Sequence, residues 1–78
     1  MAISDADKIL RDIARTNNVL VDDIRGYSKT KKIAYVRNIA LYQLRESTTL
    51  SWREIGMVLG GRKSSTVIRN YQHYVKDF

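Results

Sequence analysis

The chain contains no cysteine, which excludes a disulfide framework and any thiolate metal site. It has one histidine, His73, too few for an imidazole cluster, and no grouping of acid, base and nucleophile. There is no proline, no low-complexity tract and no internal repeat. No apolar run approaches the ~20 residues of a membrane span, and no secretory signal pattern opens the chain. Together these absences predict a soluble, cytoplasmic, non-catalytic protein with no metal, no cofactor, no small-molecule substrate and no membrane contact. Its 78 residues suit one domain, 1–78, able to bury only about 60 to 65% of its unfolded surface.

Acidic residues are also scarce, 8 against 14 lysines and arginines, for a net charge of +6. Those few acids are clustered. Residues 1–24 hold Asp5, Asp7, Asp12, Asp22 and Asp23 against Lys8, Arg11 and Arg15. Residues 25–46 carry Arg25, Lys29, Lys31, Lys32, Arg37 and Arg45 against Glu46 alone, and Arg53, Arg62, Lys63, Arg69 and Lys76 follow against Glu54 and Asp77. Positive charge gathered in two thirds of a small chain implies a polyanionic partner. A solvated basic surface is the plain alternative.

What the sequence does contain is helical periodicity. Ser4 and Asp7 have the spacing of a capping box, Ile9, Leu10, Ile13 and Ala14 form one stripe, and Asn17-Asn18 stops the helix. Residues 20–25 form a short helix ended by Gly26, and residues 26–32 a basic loop. Ile33, Val36, Ile39, Ala40 and Leu44 mark a central helix over about 31–46. Ser51 and Glu54 form a second capping box, with Trp52, Ile55, Val58 and Leu59 facing inward. After Gly60-Gly61 the last helix runs from about Ser64 to Lys76, with Val67, Ile68, Tyr71 and Val75 inward. The expectation is an all-α domain of four or five helices.

The stretch 54–68 is the most informative. An amphipathic helix runs into a double glycine, which can visit positive φ cheaply, and a new helix opens with small hydroxyls beside two cations. This is the pattern of a helix-turn-helix corner that docks one helix in DNA. The outer face of the last helix holds Ser65, Thr66, Arg69, Asn70 and His73 and no acid. Arg and Asn suit guanine and adenine edges in the major groove; Ser and Thr suit phosphate or either base. Lys29, Lys31 and Lys32, beside Tyr27, suit phosphates or the minor groove, and Arg37 and Asn38 are placed to touch the backbone. A solvated helix face and an exposed loop are the bland readings. Tyr35, Tyr42, Tyr71 and Tyr74 suit either packing or stacking on single strands; packing is favoured for Tyr42 and Tyr71, and Trp52 is expected in the core.

These residues resemble the C-terminal DNA-binding domain of the DnaA chromosomal replication initiator. The likeness spans roughly 21–70, the first helix fitting too, and is most specific at Ile39-Ala40-Leu41 with Glu46, Ser51-x-x-Glu54-Ile55-Gly56, and Gly60-Gly61-Arg62 followed by Thr66-Val67. It implies a helix-turn-helix fold of the Trp-repressor-like, DnaA C-terminal type binding double-stranded DNA. By resemblance, Lys29 (with Lys31 nearby) stands where the family places a minor-groove arginine, Arg37 where it has a DNA-contacting arginine, and Asn38 where it usually has glutamine.

The chain departs from the family at the corner. Where the family reads Asp-His-Thr-Thr, this chain has Lys63-Ser64-Ser65-Thr66, reversing one charge and losing a ring donor. Phosphate anchoring through Arg37, Arg62, Ser65 and Thr66 is expected to persist while the preferred box changes, since one base contact is worth about 1–3 kcal/mol of discrimination. Five neutralised phosphates predict a slope of log K against log salt near −4 to −5. The family's ATPase motif, Gly-x-x-x-x-Gly-Lys-Ser/Thr, is absent, so these residues are not expected to hydrolyse ATP or open an origin. The chain is then either part of a longer initiator or a free-standing bacterial, phage or mobile-element regulator, which the altered tetrad favours. Replication or transcription proteins are further candidate partners. The competing classes are a protein-interaction module for an acidic partner, and a single-strand or RNA binder.

Overall fold

The computed structural model describes the backbone of residues 3–76 and the side chains of residues 5–76; the capping box expected from Ser4 lies outside the described side chains. Five helices follow in order: α1 (Ile3–Thr16), α2 (Val21–Arg25), α3 (Lys31–Ser47), α4 (Trp52–Val58) and α5 (Ser64–Lys76), with no strand among the described residues.

Each boundary has a local cause. α1 ends where Asn18 adopts φ 57°, which lets Val19 N–H reach back to the Ala14 carbonyl at 2.9 Å; asparagine tolerates this region better than most residues. The Asp23 carboxylate accepts from Leu20 N–H at 3.3 Å and starts α2. The Thr30 hydroxyl accepts from Ile33 N–H at 3.4 Å and starts α3. Ser51 and Glu54 exchange bonds at 3.1 and 2.9 Å, the reciprocal box expected for α4.

α3 is the central helix, touched by the other four. Its Val36, Ala40, Leu41 and Leu44 are buried against Ala6, Leu10 and Ala14 of α1, Ile24 of α2, Leu50, Ile55, Val58 and Leu59 around α4, and Val67 of α5. A helix packed on several sides buries a wider arc than one amphipathic stripe, which is why Leu41 is in the core and Ile39 only half-buried. Lys31 and Lys32 lie in the first turn of α3, within the helix expected over about 31–46. One further detail differs from the periodicity. Val75 is 39% exposed, and Tyr74 takes its place against α3, its ring 5.6 Å from that of Tyr42. Half a turn near a helix end is decided by what the neighbouring helix offers, here an aromatic surface.

Candidate nucleic-acid interface

α4, a five-residue corner (59–63) and α5 form the helix-turn-helix. Gly60 and Gly61 have φ of +90° and +88°, and the amides of Gly61 and Arg62 both donate to the Gly56 carbonyl at 2.9 Å. The turn is tight because side chains are missing where backbones meet. A Cβ on Gly56 would lie 2.2 Å from the Arg62 carbonyl oxygen, and one on Gly60 would lie 2.0 Å from that of Arg25, whereas one on Gly61 would meet nothing. Gly60 therefore joins the corner to the end of α2, across the chain. A glycine inside a helix signals such close approach, and Gly56 carried that signal in the sequence.

α5 begins without a side-chain cap. Lys63 precedes it, the Val67 amide bonds to the Lys63 carbonyl at 3.1 Å, and no acid stands in the first turn. The first turn of α3 likewise holds Lys31 and Lys32 and no acid. Cations at the positive end of a helix are mildly unfavourable for the isolated fold and favourable for a bound anion. Ser65, Thr66 and Arg69 are exposed and Ser64 and Asn70 half-buried on α5, while Lys29 and Lys31 are exposed and Asn38 half-buried before and along α3.

None of the side chains of Lys29, Lys31, Asn38, Lys63, Ser64, Ser65, Thr66, Arg69 and Asn70 has a hydrogen bond or ion pair to another described residue. The one ion pair among the described residues is Arg15 with Asp12, at 3.1 Å, on α1. The basic surface is thus not neutralised from within.

Arg37 and Arg62 are placed differently. The Arg37 guanidinium donates to the carbonyls of Ile24 (2.8 Å), Asp23 and Gly26 (3.1 Å each) and Ser28 (3.3 Å). Arg62 donates to the carbonyls of Leu59, Arg25 and Gly26. Both converge on Gly26. Burial lowers the pKa of Arg37, with the Arg62 charge adding to it; burial also lowers that of Arg62, partly offset by Tyr27. Both stay protonated, as arginine does in proteins. The Tyr27 ring lies 5.7 Å from the Arg62 guanidinium and is 81% exposed.

The other aromatic rings among the described residues form a row between α3, α4 and α5. Tyr35 meets Tyr74 at 6.5 Å, Tyr74 meets Tyr42, Tyr42 stacks on Tyr71 at 6.1 Å, and Tyr71 meets Trp52 edge-on at 5.1 Å. Trp52 and Tyr71 pack against the core, Arg45 covers the Trp52 ring at 4.0 Å, and the Tyr71 hydroxyl donates to Glu46 at 2.8 Å. Of this row only Tyr35, 60% exposed, presents most of a ring to solvent, so the row is chiefly packing. His73 is exposed beside Gln72 and Lys76. The described residues hold no group of three or more potential metal ligands and no helix long and apolar enough to cross a membrane.

A short amphipathic helix, a glycine corner and a second helix with a polar outer face, all carried on a central helix, define a helix-turn-helix domain of the DNA-binding class. The chain belongs to the bacterial DnaA protein helix-turn-helix family, whose family model matches residues 6–73. It is accordingly a double-stranded DNA-binding module of the kind that forms the DnaA C-terminal domain.

Proposed function

We propose that this domain reads a specific duplex sequence, with the N-terminal half of α5 in the major groove and the 26–30 loop at the adjacent minor groove. Ser64, Ser65, Thr66, Arg69 and Asn70 face the bases and nearby phosphates. Lys29 and Lys31 lie at the minor groove and its rim, with Asn38 and Lys63 on the backbone. The observation that carries this reading is the set of polar and cationic side chains on the loop, α3, the corner and α5 that have no hydrogen-bond or ion-pair partner among the described residues. Exposed cations left unpaired beside two uncapped or lysine-bearing helix starts suit phosphate oxygens. Arg37 and Arg62 belong to the same surface, with their donors directed inward.

The corner Lys63-Ser64 replaces the family's acid and imidazole, so the preferred site differs from the initiator's usual box. Its biological setting is replication initiation or its regulation, in a nucleoid-bound bacterial protein or a phage or mobile-element regulator. Selection from a random duplex pool tests the reading. A defined motif is expected, and Asn70→Ala should lose preference at one position only. Recovery of no motif, or the same motif with and without Asn70, overturns base reading through α5.

A further inference from the structure

We infer that Arg37 and Arg62 are positioning residues that lock the basic loop to the helix-turn-helix corner, so that both grooves are met by one rigid body. The inference rests on the duplex-binding reading above. By type and location both arginines suit phosphates, yet their guanidinium donors are directed at seven carbonyl contacts within the fold: Asp23, Ile24, Gly26 and Ser28 from Arg37, and Leu59, Arg25 and Gly26 from Arg62.

Those carbonyls have no helical partner of their own. α2 is five residues long, and the last carbonyls of any helix lack intrahelical donors. A cation at that end also complements the helix dipole. Arg37 approaches from α3 and Arg62 from the corner, so the end of α2 and the loop that follows are tied from two sides. The contact at Gly60, which leaves no room for a side chain against the Arg25 carbonyl, brings corner and loop together independently of either arginine. Tyr27, against Arg62, extends the junction into the loop. Lys29, two residues further on, thereby holds a fixed position relative to α5. Two like charges sharing the Gly26 carbonyl repel, and burial adds to that penalty; the six backbone oxygens that the pair contacts, each carrying partial negative charge, offset it.

A double-mutant cycle against the exposed Lys29 decides between positioning and direct phosphate contact. Arg62→Gln, Arg37→Lys, Lys29→Ala and the Arg62→Gln/Lys29→Ala pair are measured on duplex DNA across salt concentrations, with helicity checked by circular dichroism. Positioning predicts that Arg62→Gln and Arg37→Lys each weaken binding about tenfold, with a salt slope smaller by about 0.9 as Lys29 leaves the DNA. It also predicts that Lys29→Ala has little further effect once Arg62 is gone. Additive losses, with the slope of the Arg62→Gln/Lys29→Ala pair smaller by about a further 0.9, overturn it, as does unchanged affinity.

A readout without DNA stands beside this one. Backbone amide relaxation by NMR should show residues 27–30 becoming mobile in Arg62→Gln while α4 and α5 stay ordered; a loop that stays ordered overturns the bracket. If Arg62→Gln does not fold, Arg37→Lys, which keeps the charge but loses the fork geometry, supplies the same comparison. A parent protein that binds no duplex refutes the duplex reading, and the relaxation experiment still decides the bracket.

Discussion

Adjacent glycines at the corner do different work. Gly60 and Gly61 both require positive φ, and forcing alanine into that region costs roughly 1–2 kcal/mol. Gly60 adds a second constraint, since its Cβ would overlap the Arg25 carbonyl, while Gly61 faces open space. Gly61→Ala should therefore lower stability by roughly 1–2 kcal/mol, and Gly60→Ala by roughly 3 kcal/mol or more once overpacking is added. Urea denaturation of the two variants checks this; equal losses would mean that the approach to α2 relaxes freely. The sequence made the double glycine recognisable as a corner. It did not separate the two residues, because the obstacle to a side chain at Gly60 comes from a backbone 35 positions earlier. Arg37 and Arg62 pose the same problem: their residue type points to phosphate, and only the position of α2 turns their donors inward.

At the scale of single elements, α4 depends most on its ends. It has seven residues, too few to be stable alone in water, so the Ser51–Glu54 box and the buried faces of Ile55 and Val58 must hold it. The Glu54 carboxyl sits below the ordinary glutamate range, chiefly because the Ser51 backbone amide donates to it and then because the Ser51 hydroxyl does. A carboxylate depressed in the folded state adds stability above its unfolded pKa and loses it as pH falls through the folded value. Ser51→Ala should destabilise by about 1 kcal/mol near neutral pH, and by less in acid below the glutamate range, where the carboxylate partner is protonated. Thermal melts of both proteins at the two pH values test it, and a gap independent of pH would remove Glu54 from the account. This box was visible in the sequence because both partners lie within four residues. The start of α3 near residue 31 was legible from the apolar spacing, but its cap was not: Thr30 sits in a polar, basic stretch and places Lys31 and Lys32 at the positive end of the helix.

Across the whole molecule the charges are segregated. Aspartates cluster on α1 and α2, while Lys29, Lys31, Lys63 and Arg69 stand exposed on the loop, the start of α3, the corner and α5 without acidic partners among the described residues. Four such cations on phosphates predict a slope of log K against log salt near −3 to −4, and adding Arg37 and Arg62 would bring it to about −5. Anisotropy titrations over a tenfold range of salt distinguish the two. An affinity indifferent to salt would refute electrostatic docking altogether and favour a protein partner. The aromatic row bears on the single-strand reading. Its rings are largely engaged with one another, so competition by single strands should be weak compared with duplex of equal length.

The sequence by itself determined the helices, their order, the corner, the family and the identity of the exposed polar face. Those depend on spacing within a few residues, on backbone freedom and on motif blocks read in order. Only the tertiary structure decided which arginines turn their donors into the fold, which glycine has no room for a side chain, and that Tyr74 rather than Val75 packs against α3. Each of those outcomes is set by a carbonyl or ring from a distant segment, and local periodicity carries no information about which distant surface a side chain will meet.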